Sequence, residues 1–148
     1  MAIITISTDQ LADIQGHGEQ AYPQECCGLL VGHEQAPGFF IVTRIAPSPN
    51  MSKHNTKDSF EVDAQVRFDV MRALENTSDD IIGHYHSHPD HPAKPSETDM
   101  DMAYEGQFIW LITAINKAQA METKAWRLDQ TTRTSEPLTL LVSEAGDV

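Results

Sequence analysis

Two histidines spaced two apart, His86 and His88, are followed after seven residues by Ser96-Glu97-Thr98-Asp99. The stretch offers two imidazoles, a carboxylate and a hydroxyl close together in the chain. Zinc in catalytic sites takes three protein ligands, drawn largely from His and Asp or Glu, and leaves its fourth position to water. The chemistry such a set supports is metal-assisted hydrolysis. Residues i and i+2 of an extended segment leave the backbone on one side, so both rings can meet at one ion. Pro89 then fixes φ and turns the chain out of the strand.

Ser96 and Asp99 carry a second reading. Ser-x-x-Asp ahead of a helix is a capping box, with Ser96 at the N-cap and Asp99 at the third helical position. The two readings are compatible, because a helix N-terminus places Asp99 near positive backbone dipoles and keeps it ionised as a ligand. Hydrolysis also needs a base that takes a proton from water and passes it to the leaving amine. Glu25 is the candidate, at the mouth of the apolar run Cys26–Gly32, where burial raises a carboxyl pKa. The other reading of Glu25 is an exposed loop acid. His84 shares the face of His86 and is a rival ligand, whereas Asp90, His91 and Asp101 read as solvated rim groups.

The elements that must position these groups follow from pattern. Ser7 or Thr8 caps a helix to about Tyr22, ended by Pro23 and weakened by Gly16 and Gly18. Residues 26–32 and 39–45 read as a strand pair across the turn Gln35-Ala36-Pro37-Gly38. Residues 46–58 form an exposed loop, and 59–62 an extended lead into a helix over 63–76. Residues 80–86 make a strand whose end carries the histidines. A short helix spans 96–104, and the apolar run 108–115 is the mid-sheet strand. Strands over 124–128 and 138–142 close the chain, and its last residues should fray. This is a mixed α/β domain with a central sheet and two or three helices.

Bulk composition narrows the partners. A chain of 148 residues with 40% hydrophobic content suits one globular domain spanning 1–148. A formal charge of −12, from 22 acids against 10 bases, argues against nucleic acid, since phosphate contacts need a basic surface. No run of eighteen apolar residues offers a membrane span, and the N-terminus lacks the basic and cleavage regions of a signal peptide. The only cysteines, Cys26 and Cys27, are adjacent, a spacing that strains a disulfide ring and fits a reducing cytoplasm.

Residues 22–32 (Tyr-Pro-Gln-Glu-Cys-Cys-Gly-Leu-Leu-Val-Gly) and then 83–99 resemble the JAMM (MPN+) metalloproteases. Members of that family place a Glu before the first long strand, then His-Ser/Thr-His, seven residues, and Ser-x-x-Asp. The likeness covers about residues 1–130. It implies a cytidine-deaminase-like MPN/JAMM fold with a mostly antiparallel central sheet. It further implies that His86, His88 and Asp99 hold one Zn2+, that Glu25 is the general base and acid, and that Ser96 hydrogen-bonds the oxyanion. Ser87 fills the Ser/Thr slot and orients its neighbours.

The modest loop at 46–58 and the short 100–107 segment are similar to the compact prokaryotic members that act on ubiquitin-like sulfur carriers. That likeness implies a peptidase cutting after a carrier's C-terminal Gly-Gly. The alternatives are a non-catalytic MPN scaffold, whose subunits usually lack the ligands, and a general deubiquitinase.

Overall fold

The structure, a computed structural model, describes residues 2–144. Seven strands and three helices alternate along it: β1 (Ile3–Ser7), α1 (Thr8–Ala21), β2 (Cys27–Ala36), β3 (Phe39–Ser48), α2 (Ala64–Ala73), β4 (Asp80–Pro89), α3 (Glu97–Asp101), β5 (Ile109–Asn116), β6 (Gln119–Asp129) and β7 (Thr134–Ser143). Two of the caps, Ser7 and Ser96, are among those expected from the sequence; the third, Asp63, is not. Ser7 and Gln10 form a reciprocal capping box on α1, Asp63 caps α2, and Ser96 caps α3.

The expected central sheet needs one correction: it closes into a barrel in the order β1-β3-β2-β4-β5-β6-β7. Closure comes from β1, which pairs in parallel with both β3 and β7. The β-branched run Ile3-Ile4-Thr5-Ile6 therefore makes a strand absent from the elements expected above. Four of the seven pairings are antiparallel (β2/β3, β2/β4, β5/β6, β6/β7), and β4 runs parallel to β5. Strand β4 extends through Pro89, so both histidines lie within the ladder and not beyond its end.

Two apolar clusters lie on opposite sides of the β2–β4 wall. Ile4, Ile6, Ile14, Leu30, Tyr85 and Leu111 pack in the main core. Leu29, Val31, Ala46 and Val70 pack under α2. Alternation on β4 therefore turns Tyr85 inward and leaves 84, 86 and 88 on the outer face. Gly28 makes room for this arrangement, since a side chain there would strike the Tyr85 ring. No helix among the described residues is long and apolar enough to cross a membrane.

Candidate metal centre and active site

The β2–β4 register brings distant parts of the chain together. Cys27 stands opposite His86, and Ser87 N–H donates to the Cys26 carbonyl at 3.2 Å. One more step along this antiparallel ladder sets Glu25 alongside His88. The Ser87 hydroxyl locks the junction by accepting from Cys26 N–H at 2.8 Å. Glu25 is held from the other flank as well. Its N–H donates to the Thr56 carbonyl at 2.8 Å, and Asn50 Nδ2 donates to its carbonyl at 3.1 Å. Asn50 also donates to the Ser59 carbonyl and accepts from Ser52 and Glu61 N–H. That one amide organises the loop against Glu25, and in the sequence it is indistinguishable from any loop asparagine.

Helix α3 lies in the crossover from β4 to β5 and carries Asp99 back over the outer face of β4. The capping box is present: Ser96 Oγ accepts from Asp99 N–H at 3.0 Å, and Ser96 N–H donates to Asp99 Oδ2 at 3.0 Å. Asp99 Oδ2 lies 3.0 Å from His88 Nε2 and 3.3 Å from His86 Nε2, and the two Nε2 atoms are 3.1 Å apart. One ligand atom from each of the three residues falls within 4.8 Å of the others, and all three residues are buried.

The protonation pattern of this cluster can be argued from its contacts. His88 Nδ1 is 2.8 Å from the Pro92 carbonyl, and a carbonyl only accepts, so Nδ1 carries the hydrogen. In neutral His88 the lone pair therefore sits on Nε2, aimed at Asp99. Burial lowers the His86 pKa and favours its neutral form. Burial opposes ionisation of Asp99 but is outweighed by His86 and His88, which hold its carboxyl well below the usual range. Lone pairs from three groups converging on one point call for a cation. Two imidazole nitrogens and one carboxylate oxygen suit zinc, with the remaining position open.

Glu25 is 4% exposed, and its Oε1 has no hydrogen-bond partner among the described residues. Burial, then the charges of Asp99 and Asp58, push its carboxyl up to about 9. Glu25, His88 and Ser96 line one cavity of about 340 Å³. Ser96 uses an oxygen lone pair on its cap and keeps its hydroxyl hydrogen for the cavity.

Phe60 stacks on the His86 ring at 4.2 Å between centroids. His84 does not join the cluster. Its ring packs against Trp110 at 4.3 Å and Phe60 at 5.2 Å. Asp90 accepts from the Tyr22 hydroxyl at 2.6 Å, His91 lies exposed on the cavity rim, and Asp101 pairs with Arg133. Cys26 and Cys27 are free and buried; burial pushes their thiols up to about 11 and about 12, and neither belongs to the His86–His88–Asp99 group. Asp58 and Lys94, also in the cavity lining, carried no signal in the sequence, because only the folded loops bring them there.

Residues 7–129 match the family described as prokaryotic homologs of the JAB domain. The chain belongs to that family. A desampylase from Haloferax volcanii is 29% identical over 113 residues, 74% of this chain and 78% of that protein. A CysO-cysteine peptidase from Mycobacterium tuberculosis is 26% identical over 139 residues, 94% of this chain and 92% of that protein. The solution structure of a Desulfitobacterium hafniense protein superposes with a TM-score of 0.82 at 23% identity, over 97% of this chain and 95% of that one. The JAB-domain chain is thus a hydrolase of the JAMM type, and the barrel with its three helices is a JAB fold.

Proposed function

We propose that this JAB domain, one unit over 1–148, is a zinc-dependent peptidase that hydrolyses the peptide bond after the C-terminal Gly-Gly of a ubiquitin-like sulfur-carrier protein. The observation that carries the reading is the convergence of His86, His88 and Asp99 beside the cavity that His88, Glu25 and Ser96 line. The names of the relatives, a desampylase and a CysO-cysteine peptidase, support a small ubiquitin-like protein as substrate.

His86 Nε2, His88 Nε2 and an Asp99 carboxylate oxygen would hold the zinc. When bound, zinc supplies Lewis acidity, polarising an amide carbonyl and making water a stronger acid. Glu25 takes the proton of the attacking water on a carboxylate oxygen and returns it to the leaving nitrogen. A cation at the triad would offset the Asp99 charge, one of the causes that keep Glu25 protonated, and so free it to act as base. The Ser96 hydroxyl donates to the oxygen of the scissile carbonyl as charge builds there. The two free thiols, Cys26 and Cys27, support a reducing, cytoplasmic setting.

The test is paired. Purified protein should carry about one zinc per chain, as catalytic sites of this type do, and should trim a Gly-Gly-extended carrier. Protein that holds less than about a tenth of an equivalent, against the single ion expected, and cleaves nothing would be a scaffold domain. Cleavage of di-ubiquitin in preference to a carrier would make it a general deubiquitinase.

A further inference from the structure

We infer that Lys94 reads the free α-carboxylate of the residue released, so that the enzyme removes a single C-terminal amino acid from the carrier and disfavours isopeptide-linked conjugates. This rests on the peptidase reading above and narrows its substrate class.

The chain carries only 10 bases against 22 acids, and several of those bases are already engaged. Arg67 pairs with Glu105, Arg133 with Glu97 and Asp101, and Lys124 with Glu122. Arg72 and Arg127 lie over the rings of Phe68 and Phe40. Lys94 has no ion-pair partner among the described residues, although it lines the cavity together with Glu25 and Asp58.

Its backbone is pinned. Pro92 receives the His88 Nδ1 hydrogen at 2.8 Å, and the Ala93 carbonyl receives Trp126 Nε1–H at 3.0 Å. Ala93 is fully buried, and prolines at 92 and 95 fix φ on either side. The loop therefore holds Lys94, exposed and without an ion-pair partner among the described residues, on the cavity lining two residues before Ser96.

The chemistry of the leaving side decides what that ammonium is for. In a carrier extended by one residue, the terminal carboxyl carbon is two bonds from the scissile nitrogen, roughly 2.5 Å away. That carboxylate must enter the cavity with the bond. There it meets the acids Glu25 and Asp58, and Lys94 is the one lysine or arginine among the residues that line the cavity. In an isopeptide the scissile nitrogen bears a lysine side chain, with no carboxylate at that distance. Water adds its oxygen to the glycine carbonyl carbon, the C–N bond breaks, and the proton passes to the nitrogen. The products are a carrier carboxylate and one free amino acid.

The experiment uses two tail peptides that differ only at the end, Gly-Gly-Ala acid and Gly-Gly-Ala amide, and a third with Gly-Gly joined to a lysine Nε. Zinc-loaded enzyme should favour the acid over the amide in kcat/KM by about fivefold, the upper end of what an exposed ion pair yields. Lys94→Gln should bring the acid down to the amide, and Lys94→Arg should keep the preference. The same preference should appear in Kd, measured by fluorescence anisotropy on Glu25→Gln protein, which does not turn over.

Equal binding of acid and amide to that protein, or a preference that survives Lys94→Gln, overturns the inference. Lys94-dependent binding of the acid peptide with no cleavage by the zinc-loaded enzyme would uphold the carboxylate site and sink the peptidase reading instead.

Discussion

His84 and the pair His86–His88 leave the same face of β4, yet they enter two different environments. Over His86 and His88 the chain crosses back as helix α3, and Asp99 arrives with its carboxylate 3.0 to 3.3 Å from both Nε2 atoms. Over His84 no carboxylate comes within hydrogen-bond reach among the described residues. Trp110, Phe60 and Phe108 close around it at 4.3, 5.2 and 5.9 Å between ring centroids, and burial drops its pKa to about 3. Strand periodicity makes the three histidines equivalent, and what passes over the face makes them different. A ligand is defined by the element opposite it as much as by its own side chain.

The largest expected effect tests the liganding half. His86→Ala should cut zinc affinity by more than the 10- to 100-fold that outer-shell changes cost, roughly 10³-fold or beyond, and abolish turnover with it. Plasma mass spectrometry of the purified variant gives the answer, and a full equivalent of zinc would dissolve the distinction between His86 and His84.

Next in size is Glu25→Gln. It should lower kcat by about 10²- to 10⁴-fold, the range of a general base, while zinc content stays at the wild-type value. The same variant has a signature in metal-free protein. The unfolded chain releases the Glu25 proton near the ordinary carboxyl value of 4.5, whereas the fold retains it to about 9. Folded protein therefore binds more protons across that window, and stability falls as pH rises through it. Glutamine removes this slope, so Glu25→Gln should melt higher than wild type at pH 8 and by a smaller margin at pH 5. A margin independent of pH would mean that Glu25 is not buried as a neutral acid.

Ser96→Ala should cost about ten- to several-hundredfold in kcat, by analogy with loss of one oxyanion donor, together with about 1 kcal/mol of cap stability. Ser96→Thr should restore the cap. An unchanged turnover rate for Ser96→Ala would leave the hydroxyl with the cap alone.

Much of this arrangement could be read from local pattern. Caps at Ser7 and Ser96, the turn at 35–38 and the apolar run of β5 all act over a few residues, and each element is in place. The geometry of His86, His88 and Asp99 was legible for the same reason, since strand spacing and a capping box set it. Barrel closure was not. It depends on Ile3 finding Phe39 and Thr139, pairings that no local window contains. The cavity rim escaped too, because Asp58 and Lys94 come to line one cavity only once Asn50 and Trp126 have tied down their loops. Long-range hydrogen bonds from single side chains leave no periodic trace.

The smallest effect sharpens the contrast from the aromatic half. His84 Nδ1 is buried without a hydrogen-bond partner among the described residues, a condition that costs about 1–3 kcal/mol. His84→Phe puts a larger ring among Phe60, Phe108 and Trp110, but His84 borders a cavity of about 440 Å³ that gives the extra atoms room, so the repacking cost should stay below about 1.5 kcal/mol. The removed penalty should exceed the repacking cost, so the variant should melt at or slightly above the wild-type temperature. Zinc content should stay at the wild-type value and kcat should fall by no more than a few-fold, because the ring supports His86 only by contact. A drop in zinc content with the fold intact would make His84 a ligand, and the aromatic enclosure would then be part of the metal site.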